Sequence, residues 1–344
     1  MKKKLLIIGN FLSAKTKVRG ACEDLALMLE RRGYSLFCAS YSSNPILRLQ
    51  EIAGRFFTKA RMADFVLIEV YSGNAFLWAE FSVLMCGWFR KPFLLWLHGG
   101  NLPVFARKNK KKMNRLFCNA VRIICPSEYL KESMRDYGEA SRFEIIGNGF
   151  DLQRYKYRQR KEVKAALVWL RAFHRIYAPW LAVEALELLV SDFPDISLTM
   201  VGPDKKDGSL SETKALIKSR GLDAYVRIVE GVPKESVPGV LSKGDIFLNT
   251  AMVDNFPVSV LESMACGLCL VSLASGGVPH MVKNEEEALL VDRAVAQDLA
   301  DAVKRILKDP DLAARLSEGA RRKAESCDWS VTIPLWEKVF QAIP

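Results

Sequence analysis

Residues 249–279 read NTAMVDNFPVSVLESMACGLCLVSLASGGVP, and their order of residue types decides the fold. An apolar strand at 246–249 runs into a polar loop. A small-residue helix follows at 258–266, then a strand at 269–273 that is apolar but for Ser272, and a Gly276-Gly277 loop. A strand that is apolar on both faces has both faces covered, which is the condition of a parallel sheet with helices above and below.

The same alternation extends in both directions. On the C-terminal side of the chain, strands are expected at 165–170, 196–201, 226–229 and 288–291, with helices at 179–190 and 209–220. Ser209 and Glu212 read as a capping box for the second of these helices. The N-terminal half gives strands at 5–9, 35–39, 65–70, 93–97, 121–125 and 143–146. Helical spacing runs over 20–32, stopped by Gly33, and Ser127 caps a helix that reaches Tyr137. Residues 10–19 read as a polar loop. The polar run 153–164 (QRYKYRQRKEVK) reads as a linker. A chain of 344 residues is long enough for two domains. Their strands would leave a cleft at the carboxyl ends, where ligands of such sheets bind.

Half the residues are hydrophobic and 26% are charged, a globular composition. The net charge of +11 is unevenly placed: residues 1–150 carry 24 Lys+Arg against 12 Asp+Glu, and the remainder carries 26 against 27. The basic half implies an anionic counterpart. Its densest patch holds Arg107, Lys108, Lys110, Lys111, Lys112 and Arg115, which reads as a solvated face or as a contact with an anionic membrane surface. No nucleic-acid motif accompanies the charge, so nucleic acid is not expected as a partner. The run 75–89 is too short to span a bilayer and contains Glu80, so it reads as a buried helix. The start, MKKK followed by five apolar or small residues, is too short for a secretory leader. Eight cysteines in mostly apolar surroundings read as reduced, buried thiols of a cytoplasmic protein. The pair Cys266 and Cys269 lacks the further ligands of a zinc site.

No GxGxxG follows the first strand and no GxxxxGK[ST] occurs, which demotes dinucleotide and P-loop chemistry. The informative site is the start of the helix at Val258. Its free N–H groups lie beside Asn255, Phe256 and Pro257, and with the helix dipole they favour a phosphate or sugar hydroxyls. Glu262 falls one turn in, where a carboxylate accepts two hydrogen bonds from a vicinal diol; on pattern alone it reads equally as a capping or ion-pair residue. His98 closes a strand beside two glycines, a position that raises a lone histidine above its usual structural reading. Asp309-Pro310-Asp311 has the form of a metal motif but reads as a helix start with Pro at the first position. Trp180 and Trp329 read as core.

The segment resembles the signature of retaining GT-B glycosyltransferases, in particular glycosyltransferase family 4. Two acids eight positions apart, Asp254 and Glu262, precede a small-residue helix and the Gly276-Gly277 loop. The stretches 126–130 and 145–151, the loop His98-Gly99-Gly100-Asn101-Leu102-Pro103 and Arg171 after a strand are similar to the family as well. The resemblance implies the GT-B fold, two Rossmann-like domains facing each other across a cleft. It divides the chain into an acceptor-binding domain at 1–152, a nucleotide-sugar domain at 153–327, and a C-terminal helix at 328–344 that packs back on the first.

The same resemblance implies the roles. Glu262 holds the donor ribose, Asp254 contacts the transferred sugar, Arg171 meets the diphosphate, Gly276 and Gly277 approach the donor, and His98 lies near the donor sugar. The family's lysine after Arg171 has no counterpart, and Arg175 is the residue available as a second cation. Asp254 stands where glutamate is usual, and His280 where an acid is frequent. The expected reaction is retaining, front-face transfer from a UDP- or GDP-sugar to a glycan or lipid-linked acceptor. The expected setting is bacterial surface polysaccharide or glycolipid synthesis, at the inner face of the membrane. No metal or other cofactor is expected. The alternatives are a catalytically silent nucleotide-sugar-binding protein and a GT-B epimerase.

Overall fold

A computed structural model describes residues 2–13 and 19–343. Half of the 10–19 loop expectation, residues 14–18, therefore lies outside the described residues. The chain divides into two compact units, Met1–Phe150 with Trp329–Pro344, and Asp151–Asp328.

The first unit holds β1 (Lys4–Ile8), α1 (Ala21–Arg31), β2 (Ser35–Ala39), α2 (Pro45–Lys59), β3 (Phe65–Val70), α3 (Phe76–Phe89), β4 (Phe93–Leu97), α4 (Leu102–Lys108), α5 (Lys110–Phe117), β5 (Arg122–Cys125), α6 (Glu128–Met134) and β6 (Phe143–Ile145). Its six strands are parallel, in the order β2-β1-β3-β4-β5-β6. β3 and β4 are buried along their whole length, as strands covered on both faces must be. One core lies on each face of this sheet. Leu6, Ile8 and Leu95 face α2, α3 and α5, while Leu5, Ile7 and Trp96 face α1 and the last helix.

The second unit holds β7 (Ala166–Leu170), α7 (Pro179–Glu187), β8 (Ser197–Val201), α8 (Ser209–Ser219), β9 (Val226–Val229), α9 (Val237–Leu241), β10 (Ile246–Asn249), α10 (Val258–Ala265), β11 (Cys269–Leu273), α11 (Val278–Met281), β12 (Leu289–Val291), α12 (Ala296–Lys308) and α13 (Pro310–Glu325). Its parallel sheet runs β12-β11-β10-β7-β8-β9, the strand order of a dinucleotide-type doubly wound sheet. The chain then returns to the first unit as α14 (Trp329–Gln341), whose Trp336 stands edge-on to Trp96 with ring centroids 4.9 Å apart.

Local signals explain the element ends. Asn44 caps α2 through its side chain, and Ser127 caps α6. Asp309 accepts from the amides of Asp311 and Leu312, so the DxD motif is the start of α13. Trp329 is buried and Trp180 is packed against the second unit's core.

Three readings are corrected. The capping box at α8 does not form: Asp207 accepts from the Ser209 amide and hydroxyl, and Glu212 turns outward to Arg175. The polar run 153–164 is no free linker but a strap built into the second unit. Arg160 is 1% exposed, with Nε on Asp245, Nη2 on the Gly244 carbonyl and Nη1 on the carbonyls of Arg158 and Cys266. Its charge is therefore consumed inside the fold, which composition does not reveal. Finally, α3 is buried on one face only: Leu77, Leu84 and Trp88 lie open. Among the described residues no helix is long and apolar enough to cross a membrane, and no His, Cys, Asp and Glu cluster could hold a metal ion.

Candidate nucleotide-sugar site

In the second unit the strand order reverses between β7 and β10. Loops that leave neighbouring strands in opposite directions part at such a point and leave room at the carboxyl ends. Arg171 is the first residue after β7, and Asp254–Glu262 follows β10. The loops are stapled together. The Met252 amide donates to the Ile176 carbonyl at 2.8 Å, and the Thr250 hydroxyl donates to the Tyr177 carbonyl at 2.7 Å. The Ser275 hydroxyl adds a bond to the Ala251 carbonyl at 2.6 Å.

The glycines set this geometry by close backbone approach. A Cβ on Gly277 would fall inside contact distance of the Asn255 carbonyl oxygen, and one on Gly276 inside that of Asp254. Gly276 also has φ +54°, in the left-handed region. The Gly277 amide donates to the Asp254 carbonyl at 3.1 Å. These two glycines thus fix the loop that carries Asp254 and Asn255. Gly202 acts likewise after β8, where any Cβ would collide with the Arg171 carbonyl.

α10 begins at Val258 with Pro257 as its N-cap residue, which supplies no side-chain cap. Its first-turn amides are left to a ligand or to water. The other end of the helix is held by cations. Arg321 Nη1 donates to the Ala265 carbonyl at 2.8 Å, and Arg160 Nη1 to that of Cys266. Positive charge at the carboxyl end and open amides at the other complement the helix dipole. Ser259 Oγ, in the first turn, is buried without a hydrogen-bond partner.

Glu262 is 6% exposed. The Tyr155 hydroxyl, from the strap, donates to its Oε1 at 2.6 Å. Burial raises the Glu262 pKa, and the Tyr155 bond opposes that shift. Burial and then the neighbouring carboxylate push the Tyr155 hydroxyl far upward, so it stays protonated and donates. Sequence reasoning missed Tyr155, which lies 107 positions away with no local pattern to mark it.

Arg171 and Asp254 are brought together as an ion pair, Nη2 to Oδ2. Asp254 Oδ1 accepts from the Asn255 amide at 2.9 Å. The Arg171 guanidinium lies 4.9 Å from the centre of the Tyr177 ring, and its Nε is buried without a partner. Burial lowers the Arg171 pKa, the mark of a cation held out of water. Arg175 is placed differently: it pairs with Glu212 on α8, both side chains more than half exposed. His174 caps the short turn after Arg171, accepting from the Ile176 amide at 3.1 Å, and His280 is exposed on α11.

In the first unit the strand order reverses between β1 and β3, and a polar cluster sits there. His98 is 6% exposed, with Nε2 3.2 Å from Glu69 Oε1 but not aligned for a hydrogen bond. Its ring stacks on Tyr71, 4.9 Å between centroids. Glu69 also accepts from the Asn10 amide at 2.7 Å and the Tyr71 hydroxyl at 3.3 Å. Arg48 reaches Asn10 Oδ1 at 2.6 Å and the Gly9 carbonyl at 3.2 Å. Glu69 is the one charge in the strand FVLIEV, and a lone carboxylate in an otherwise apolar strand is the local signal that marks it.

Two doubly wound units, one with an open helix N-terminus, a buried carboxylate and an arginine at its switch point, define a protein of the GT-B fold. Residues 149–323 match the family described as Glycosyl transferases group 1, and residues 40–154 match Glycosyltransferase Family 4. The chain belongs to the glycosyl transferases group 1 family. It is similar to a D-inositol 3-phosphate glycosyltransferase of Corynebacterium jeikeium, with 28% identity over 49% of this chain and 42% of the relative. The GPI3 subunit of phosphatidylinositol N-acetylglucosaminyltransferase from Saccharomyces cerevisiae is 25% identical over 55% of this chain and 43% of its own length. The chain spans about half the length of the curated relatives it matches. Among solved structures, Anabaena HepE in complex with UDP-glucose shares the fold at a TM-score of 0.77 and 18% identity, covering 98% of this chain and all of the other. Sucrose-phosphate synthase from Thermosynechococcus elongatus does so at 0.77 and 17%, covering 99% of this chain and 100% of the other.

Proposed function

We propose that the protein is a retaining glycosyltransferase. It takes a sugar from a UDP- or GDP-sugar and passes it to a glycan or lipid-linked acceptor on the cytoplasmic side, in surface polysaccharide or glycolipid synthesis. The observation that carries this reading is the meeting of the uncapped α10 N-terminus, the Arg171 guanidinium and the buried Glu262 at one switch point. The nucleotide-sugar bound in the Anabaena neighbour and the names of the relatives support it.

In this reading Glu262 accepts two hydrogen bonds from the ribose diol. The α10 amides and Arg171 meet the charge that grows on the departing diphosphate, where fixed donors act most strongly. Arg175 exchanges Glu212 for a phosphate oxygen, since an exposed pair of that kind is cheap to break. Asp254, held by Arg171 and the Asn255 amide, addresses the transferred sugar. The bond from the anomeric carbon to the phosphate breaks as the bond to the acceptor oxygen forms. The acceptor proton passes to the leaving phosphate on the same face.

A thermal-shift screen against UDP-, GDP-, ADP- and TDP-sugars tests it. A donor present at a hundred times its Kd stabilises by about 2.7 kcal/mol. Glu262→Ala removes that shift, and Glu262→Gln, which keeps the side chain's shape, weakens it. Near-normal donor affinity and turnover in both variants would overturn the assignment.

A further inference from the structure

The first unit carries an apolar surface that donor chemistry does not use. Along α3, Leu77, Phe81, Leu84 and Trp88 recur at intervals of four, three and four, which places them on one stripe of the helix. The opposite stripe, with Phe76, Ala79, Met85 and Cys86, is in the core. Leu84 is 67% and Trp88 72% exposed. Phe57 of α2, also open, stands edge-on to Trp88 with centroids 6.0 Å apart, so the strip widens across two helices. Single exposed apolar residues are ordinary; a contiguous strip that includes a tryptophan is an interaction surface.

A groove of about 660 Å³ adjoins the strip. Phe81, Leu84 and Trp88 form one wall, and Lys112, Arg115 and Leu116 of α5 form the other. The side chains of Arg107, Lys108, Lys110 and Lys111 lie open on α4 and α5 close in sequence to that wall. Of the six basic residues from Arg107 to Arg115, Lys112 is paired, with Glu80 at 3.3 Å, and the other five make no ion pair among the described residues. A second copy of this chain would bring its own cationic rim, and like charges repel. An anionic counterpart with an apolar interior satisfies both halves of the surface.

We propose that the α3–α5 face docks on an anionic lipid bilayer. Leu77, Leu84, Trp88 and Phe57 enter the acyl boundary, and the basic residues of α4 and α5 meet the lipid phosphates. Tryptophan suits that boundary, having an apolar body and one polar N–H. The fourteen-residue α3 lies in the membrane plane, far short of the length needed to span it. Charge and insertion together provide the two signals that stable peripheral binding needs. This inference stands whether or not the donor site is as proposed above.

Co-sedimentation with phosphatidylcholine vesicles, with and without phosphatidylglycerol, tests it. The intact protein binds the anionic vesicles at low salt and is released at high salt. Lys110→Glu with Lys111→Glu lowers binding by roughly tenfold or more, at about 1 kcal/mol per basic residue near the surface, and Leu84→Ser with Trp88→Ser lowers it by removing the inserted apolar area. Both double variants are exposed substitutions, so unchanged melting temperatures confirm that the fold is intact. Brominated lipid quenches the fluorescence of the intact protein more than that of Trp88→Phe. Three results would overturn the proposal: no anionic vesicle binding at low salt, vesicle binding indifferent to Leu84 and Trp88, or equal binding to neutral vesicles. Concentration-dependent dimers that Leu84→Ser with Trp88→Ser dissolves, without vesicle binding, would assign the face to a second copy instead.

Discussion

At the scale of single residues, the Tyr155–Glu262 contact is the informative one. Tyr155→Phe leaves an acceptor of a buried carboxyl group without its hydrogen bond, a loss of about 1–3 kcal/mol, readable by denaturant unfolding of the intact chain. It also removes an influence that lowers the Glu262 pKa, so that pKa rises further. Donor binding that needs the ionised form fails as pH falls through the pKa. The acid limb of the donor-affinity profile therefore moves to higher pH in Tyr155→Phe, while the plateau at alkaline pH stays closer to that of the unmodified protein. An unmoved limb would show that Glu262 ionisation does not govern donor binding. Glu262 was legible because its position one turn into a helix is a local fact. Tyr155 and the Glu69–His98 contact were not, since they join residues far apart in the chain, and side-chain pairing across a fold leaves no periodic trace.

At the scale of elements, the loops are where a sequence reading is thinnest and where the site is built. The helix and strand at 258–273 were readable from residue size and hydrophobicity. That Gly276 and Gly277 exist to let two backbones touch was not, because a Gly-Gly pair is equally at home beside a ligand. Gly277→Ala forces the Asn255 backbone to move, with a cost of about 1–3 kcal/mol for an overpacked contact and a weakened donor-induced thermal shift. Gly54→Ala serves as a contrast. It lies in the exposed part of α2 with nothing near its missing Cβ, so it stabilises by about 0.5–1 kcal/mol. Equal melting temperatures for the two variants would sink the close-approach account. The strap at 153–164 teaches the same lesson from the opposite side: charge density suggested solvent, yet Arg160 is buried because carbonyls and Asp245 accept from each of its three guanidinium nitrogens.

At the scale of the whole molecule, alternation of strand and helix identified two parallel sheets, but the order of strands within them is a matter of long-range packing and had to be seen. The order is what places Arg171 and Asp254 at one switch point and Glu69 with Asn10 at another. Charge asymmetry was plain in the sequence; the outward apolar stripe of α3 beside it was not, since a helix this apolar on average reads as core all round. The cysteines add a practical consequence. Burial holds Cys38 and Cys269 up at about 12 and Cys266 at about 11. Cys22, Cys86, Cys125 and Cys327 are raised as well. Cys118 alone of the eight is exposed, and it lines the groove between α3 and α5. Thiolate reactivity follows accessibility and pKa, so one equivalent of maleimide dye at neutral pH labels Cys118 first, as peptide mapping would show. The native chain thus carries its own reporter: a polarity-sensitive fluorophore attached there reads what occupies that groove without any engineered cysteine.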